Sequence, residues 1–133
     1  MDVQKIMNIG LLLSIGIGGF IGAILRFSIS GWITKLTTPN FPFGTLSVNI
    51  LGSFIMGILF IYFQHTTLSP TQKALFITGL LGALTTFSTF SLDTVLLMEK
   101  EFYMKAFSNV ALNVVFSIGA TMLGMMVCKR AFT

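Results

Sequence analysis

The chain has 133 residues, of which 54% are hydrophobic and only 9% are charged, and its mean hydropathy is +0.91. This composition is typical of a membrane protein and leaves no room in the chain for a separate soluble catalytic domain. The net charge of +4 comes from scattered basic residues, so no nucleic-acid-binding face is indicated. Cys128 is the only cysteine, which excludes an intrachain disulfide.

Four apolar segments predict an all-α membrane protein with four transmembrane helices in a single domain, residues 1–133. We place them at about 6–27, 43–63, 70–98 and 104–128. Each holds roughly the 20 apolar residues that are needed to cross about 30 Å of hydrocarbon. The first segment is not read as a signal peptide, because its apolar stretch exceeds the usual length of about 7–15 residues and no convincing cleavage site follows it.

The first predicted span is rich in glycine. Gly18 and Gly22 are four residues apart, a spacing that lets two helices approach closely. Arg26 falls near the end of the span, where it either extends its charge to the interface or faces an aqueous vestibule that attracts anions. A short connection over 31–43 follows, with Trp32 as an interfacial anchor.

The second predicted span carries Thr45, Asn49 and Ser53 at a spacing of four, so the three side chains share one helix face. Asn49 stands out because a buried amide needs partners for two N–H hydrogens and one oxygen. The sequence leaves two interpretations open. Asn49 either joins two helices by hydrogen bonds or lines a polar path.

The third predicted span is too long for one straight crossing. Ser69 and Gln72 form a capping-box pattern at its start. Further along, residues 85–91 comprise five hydroxyl-bearing residues and two phenylalanines, directly after the segment Gly82-Ala-Leu. This pattern predicts a break within 82–88, where freed backbone groups would surround an ion or substrate. Asp93 is interpreted as structural.

The fourth predicted span carries Asn109, Asn113, Ser117 and Thr121, each four residues after the last. The spacing makes a polar stripe that winds slowly around the helix. Such a stripe must face protein or water, as a hydrogen-bonded seam or as one wall of a polar pathway.

The basic residues are balanced between the two ends of the spans. With four spans, one side holds Lys5, Lys73, Lys129 and Arg130, and the other holds Arg26, Lys35, Lys100 and Lys105. Because an excess of Lys and Arg normally sets orientation, this balance favours insertion both ways up. Two opposite copies would then pair into an antiparallel homodimer. A single topology set by a small bias is the alternative.

The chemistry available in the spans is that of neutral polar groups and aromatic rings. No catalytic constellation is recognisable, so an enzyme is not expected. No titratable group lies centrally in the spans, which argues against proton-coupled transport. The ring edges of Phe87 and Phe90, with the amide of Asn49 and hydroxyl donors, could line a path for a small dehydrated anion. Simple core packing of both rings is the alternative.

Three motifs together carry a family resemblance. They are residues 18–27 (GGFIGAILRF), 44–49 (GTLSVN) with 52–54 (GSF), and 82–91 (GALTTFSTFS). With this order and spacing the chain resembles the Fluc (CrcB) fluoride channels. The resemblance implies a dual-topology homodimer in the cell membrane, with two antiparallel pores that export toxic fluoride passively and exclude chloride.

The resemblance also implies roles for individual residues. It implies a structural Na⁺ at the dimer interface, held by the backbone carbonyls of Gly82 and Thr85 from both subunits, and it places Arg26 in the vestibule. The pore-lining residues that it implies are Phe87, Phe90, Asn49, Thr45, Ser88, Thr89, Asn113 and Ser117. At the position of Asn113 the family often has an aromatic hydroxyl.

Two other functions remain as alternatives. A small dual-topology multidrug or cation exporter also has four short spans, but it needs a membrane-embedded carboxylate in the first, and residues 6–25 contain none. A non-transporting assembly subunit would use its polar residues only for packing.

Overall fold

The computed structural model describes Gln4 and residues 8–133, and all regular structure in this part of the chain is helical. Lys5 and the predicted start of the first span at residue 6 lie outside the described residues. Four helices are long and apolar enough to cross a membrane. They are α1 (Ile9–Leu36), α2 (Phe43–His65), the segmented third span (Pro70–Glu99) and α6 (Tyr103–Ala131).

Helix α1 is longer than the sequence predicted. Asn8 caps its start, because the Asn8 side chain accepts a hydrogen bond of 2.9 Å from the N–H of Gly10. The predicted end near residue 27 is wrong, since the helix continues to Leu36 and takes in much of the predicted connection. Nothing in 28–36 stops a helix, and the chain leaves it only shortly before Pro39, the first proline.

The third span is built from four segments, which are α3 (Pro70–Ala74), a π-helical segment π1 (Leu75–Leu81), α4 (Gly82–Leu84) and α5 (Phe87–Glu99). The predicted capping box at its start is confirmed, with the Ser69 hydroxyl accepting from the N–H of Gln72. The predicted break is present and lies between α4 and α5. There Thr85 and Thr86 have extended backbone angles, with φ/ψ of −86°/156° and −150°/114°.

The first span packs against the beginning of the third through its glycines. Gly18 and Gly22 are buried, and a Cβ added at either position would collide with the backbone carbonyl of Leu75 or Leu80. The close approach that the sequence predicted for this pair is therefore confirmed.

Helices α2 and α6 pack together in the same manner. A Cβ at Gly57 would collide with the carbonyl of Thr121, and a Cβ at Gly124 would collide with the carbonyl of Phe54. The two glycines thus bring the helix backbones into contact over the half of the pair that lies toward the C-terminus of α6. The other half of the same pair carries Asn49 and Asn113, and so positions the polar residues described next.

Candidate functional site

The break in the third span is held by Asn49 from α2. Asn49 Oδ1 accepts a hydrogen bond of 2.8 Å from the backbone N–H of Thr86, and Asn49 Nδ2 donates to the backbone carbonyl of Thr86 at 3.2 Å. One side chain therefore satisfies both backbone groups of a residue that has left the helix. In a membrane, irregular backbone persists only where such partners are supplied.

Thr86 also starts helix α5. Its hydroxyl accepts a hydrogen bond of 3.1 Å from the N–H of Thr89, which makes Thr86 the N-cap. The same hydroxyl lies 3.3 Å from the hydroxyl of Ser88. Helix α5 consequently begins at Phe87, so that its first turn carries both phenylalanines that the sequence singled out.

The two phenylalanine rings lie together but in different environments. The ring centroids of Phe87 and Phe90 are 5.3 Å apart, with an edge-to-face angle of 61°. Phe90 is 8% exposed and belongs to the core, whereas Phe87 is 78% exposed. Because the edge of an aromatic ring carries partial positive charge, such a pair can present C–H groups to an anion.

A run of hydrogen bonds leads from Asn49 into α6. Asn49 Nδ2 donates to Asn113 Oδ1 at 3.0 Å, and Asn113 Nδ2 donates to the Asn109 carbonyl and to Asn109 Oδ1. Asn109 Nδ2 donates in turn to Thr94 Oγ1 at 2.9 Å. The first part of the polar stripe on the fourth span is thus a hydrogen-bonded seam against α2 and α5.

A first cavity of about 400 Å³ opens beside the break. Its lining combines the phenylalanine pair with polar groups from three spans. The residues are Asn49, Gly52, Ser53, Met56, Thr85, Thr86, Phe87, Phe90, Asn113, Val114, Ser117, Ile118 and Thr121. The lining holds neutral polar, aromatic and aliphatic side chains and no charged one, so it can accommodate a small ion without a fixed charge to trap it.

A second cavity also reaches Thr86. It is lined by Ala23, Arg26, Phe27, Ser30, Gly31, Thr45, Val48, Thr86 and Thr89. Thr86 is the one residue that lines both cavities. Arg26 is deeper along α1 than predicted, because Leu36 ends the helix about 15 Å further on. The cationic side chain therefore lines a concave site instead of marking the end of a span.

Comparison with known proteins agrees with the motifs and the fold. Residues 13–125 match the family described as CrcB-like protein, Camphor Resistance (CrcB). A fluoride-specific ion channel FluC of Sulfurovum sp. (strain NBC37-1) is 57% identical over 122 residues, covering 92% of this chain and 96% of the relative. The chain belongs to the CrcB-like protein family. The resemblance inferred from the sequence is confirmed.

Further relatives of the CrcB-like chain have the same name. A fluoride-specific ion channel FluC of a Nitratiruptor species is 49% identical over 126 residues, or 95% of this chain and 98% of the relative. A fluoride-specific ion channel FluC of Shewanella loihica is 47% identical over 113 residues, which cover 85% of this chain and 91% of the relative. The family and the four apolar helices together indicate a multi-pass protein of the cell membrane.

In the CrcB-like fold, the predicted site residues fall into two groups. Asn49, Phe87, Phe90, Asn113 and Ser117 line the first cavity. Arg26, Thr45 and Thr89 line the second. Ser88 lines neither of the two, and its exposed side chain lies beside Thr86.

Of the two residues that the resemblance implies as metal ligands, Gly82 is the first residue of α4 and Thr85 lies in the break. In an uninterrupted helix the N–H of Thr86 would donate to the carbonyl of Gly82, but here it donates to Asn49. Thr85 itself is extended, with ψ of 156°, so its carbonyl does not continue the helical pattern of α4.

Thr86, Thr94 and Asp93 are among the polar residues of this CrcB-like site that were not predicted as site residues. Thr86 stood in the hydroxyl-rich run, but nothing in the run distinguished it from its neighbours. Thr94 accepts from Asn109, and Asp93, interpreted as structural, accepts a hydrogen bond of 2.8 Å from the Thr45 hydroxyl. These contacts join different spans, so no spacing along one helix could have indicated them.

Proposed function

We propose that the chain forms a fluoride-selective passive channel that exports toxic fluoride across the cell membrane. The observation that carries the proposal is the break at Thr86, which sets the aromatic pair of Phe87 and Phe90 beside a neutral polar wall. The names of relatives that are up to 57% identical over most of the chain support it. Such a channel conducts fluoride and requires no chemical step on the ion.

Along the first cavity, the rings and the hydroxyl groups are the groups that contact the ion. Both donor hydrogens of the Asn49 amide are engaged, one by the Thr86 carbonyl and one by Asn113. Asn49 therefore acts on conduction by holding the turn that carries Phe87, more than by donating to fluoride. Arg26 in the second cavity raises the local anion concentration at the entrance to the path.

The channel works as an antiparallel dual-topology homodimer with two pores. The nearly balanced distribution of basic residues at the span ends supports this arrangement, with four on one side against three on the other once Arg26 is placed within α1, because it gives the chain only a small bias in orientation. The exposure of Phe87 leaves room for this arrangement, since the ring lines the first cavity and is 78% exposed, so a second copy could cover it.

The carbonyls of Gly82 and Thr85 from each copy would hold a structural Na⁺ between the two copies. Neutral carbonyl oxygens suit a hard cation, and the break supports this choice, because the Thr86 N–H donates to Asn49 and Thr85 is extended. When bound, the ion would supply positive charge at the dimer interface. Replacement of external Na⁺ by a larger organic cation is expected to lower the stability of the dimer.

The deciding experiment is ion efflux from proteoliposomes containing the purified chain. Liposomes loaded with potassium fluoride are diluted into fluoride-free medium, valinomycin is added, and a fluoride electrode follows release. Fast electrogenic efflux of fluoride, with no chloride efflux from matched liposomes, supports the proposal. Proton-coupled efflux of an organic cation would indicate an exporter instead. No flux of either kind would indicate an assembly subunit.

A further inference from the structure

Five hydrogen-bonded contacts link six residues beside the first cavity, and the backbone from Thr86 to Phe90 closes them into a ring. We call it the asparagine ring, and its members in order are Thr86, Asn49, Asn113, Asn109, Thr94 and Phe90. The last contact is a hydrogen bond of 2.8 Å from the Thr94 hydroxyl to the Phe90 carbonyl. The ring thus begins and ends on the same short stretch of the third span, the one that carries both phenylalanine side chains.

The direction of every hydrogen bond in the asparagine ring is determined by its two fixed points. The Thr86 N–H can only donate, so Asn49 must turn Oδ1 toward it and Nδ2 toward Asn113. The Asn109 carbonyl can only accept, so Asn113 must turn Nδ2 toward it and Oδ1 toward Asn49. Two independent requirements therefore select the same orientation of the Asn113 amide.

Asn109 is the member on which the remaining bonds depend. Its Oδ1 accepts from Asn113 at 3.0 Å, and its Nδ2 donates to Thr94 Oγ1, which directs the Thr94 hydrogen toward the Phe90 carbonyl. Asn109 has no exposed surface and is not among the residues that line either cavity. It is therefore too deep to touch a permeating ion.

We propose that Asn109 is a positioning residue for fluoride conduction, which acts through the asparagine ring to hold Phe87 and Phe90 in place. The proposal rests on the proposed function. Without the Asn109 side chain, Asn113 keeps only one acceptor for its two N–H hydrogens. The other N–H hydrogen is left buried without an acceptor, which favours displacement of the Asn113 side chain and weakens its contact with Asn49, the residue that holds Thr86.

Two pairs of variants test this role. Asn109→Leu removes both polar atoms and keeps the number and branching of the non-hydrogen side-chain atoms. Thr94→Val removes only the hydroxyl at nearly constant shape, and Thr94→Ser keeps it. Ser108→Ala is the matched control on α6, because the Ser108 hydroxyl donates only to the carbonyl of Met104 in its own helix.

The readout is the fluoride current of single channels in planar bilayers, since a purely structural role would change the amount of folded protein but not the current of each surviving channel. Asn109→Leu and Thr94→Val are expected to lower the single-channel fluoride current about tenfold, which corresponds to about 1.4 kcal/mol. Thr94→Ser is expected to recover most of the current. Currents within about twofold of wild type in assembled Asn109→Leu and Thr94→Val channels would overturn the proposal.

A second measurement needs no variant. In the wild-type protein labelled with ¹⁵N at asparagine, the side-chain amide hydrogens of Asn109 and Asn113 are expected to exchange with D₂O far more slowly than those of exposed Asn40. Equal exchange rates would overturn the proposal even if Asn109→Leu does not fold. Absence of fluoride current in the wild-type channel would instead overturn the proposed function.

Discussion

Asn49 binds the N–H and the carbonyl of the same residue, Thr86, with one amide group. An α-helix would satisfy these two backbone groups with partners four residues away on either side. Here a side chain from a different span replaces both of them. The break in the third span is therefore maintained by α2, and the position of the aromatic pair depends on a residue outside its own helix.

Asn49→Ala is expected to impair both stability and fluoride flux. The change leaves the Thr86 N–H and carbonyl without their partner, and each unsatisfied buried group costs about 1–3 kcal/mol. Thermal unfolding in detergent and initial fluoride efflux from proteoliposomes check this. Asn40→Ala, in the exposed connection before α2, is the control. A variant with wild-type stability and wild-type efflux would show that the Asn49–Thr86 contact does not matter.

Phe87→Ile and Phe90→Ile are expected to lower fluoride flux while the dimer still assembles. A ring edge that stabilises fluoride by about 1.4 kcal/mol at the narrowest point of the path raises the rate of passage about tenfold, so its loss lowers the fluoride flux by that factor. The two variants differ in stability. Phe90 is 8% exposed, so its replacement costs about 1 kcal/mol, whereas Phe87 is 78% exposed and its replacement changes the stability of the isolated chain little.

Fluoride efflux and size-exclusion chromatography separate these effects. Phe107→Ile is the control, because Phe107 is 68% exposed on α6 and lines neither of the two cavities. Near-normal flux in both Phe87→Ile and Phe90→Ile would remove the assignment of the aromatic pair to the pore.

The parts of the fold that follow from local patterns could be predicted from the sequence. Four apolar segments predicted four spans, and the capping box of Ser69 and Gln72 predicted where the third begins. The hydroxyl-rich run after Gly82 predicted a break, although only the structure places it at Thr85 and Thr86. In each case the signal and the feature lie within one stretch of chain.

Features that depend on contacts between spans could not be predicted. The hydrogen bond from Thr45 to Asp93 joins α2 to α5, and the one from Asn109 to Thr94 joins α6 to α5. Neither pair has a spacing that relates its members. The end of α1 was misjudged because a local signal was misinterpreted. Arg26 suggested a membrane interface, but a charged side chain beside a cavity is tolerated within a membrane-spanning helix.

Gly124→Ala is expected to destabilise the packing of α2 against α6. An added methyl group would collide with the carbonyl of Phe54, so the helices must separate at a cost of about 1–3 kcal/mol. Gly119→Ala is a control on the same helix, because a Cβ there meets no atom within 4 Å. Thermal unfolding of both variants in detergent checks this. Equal melting temperatures for the two would contradict the close helix contact.

Removal of basic residues from one side is expected to fix the orientation of the chain. Replacing Lys129 and Arg130 by serine leaves two Lys residues, Lys5 and Lys73, against three at the span ends of the other side, besides Arg26 within α1. Because the side with more Lys and Arg stays in the cytoplasm, the C-terminus of this variant should face outward. The Lys100→Ser/Lys105→Ser variant has the opposite bias, and its C-terminus should face inward.

The proposed dimer leads to a further prediction for these two variants with a charge bias. Each alone inserts in one orientation and lacks an antiparallel partner, so fluoride export should be lost although each chain folds. Expression of both together supplies opposite copies and should restore export. Labelling of C-terminal tags from outside the cell measures orientation, and growth in fluoride measures export. Full fluoride resistance from one variant whose tag is found on a single side would contradict the antiparallel dimer, because no oppositely oriented copy would then be needed.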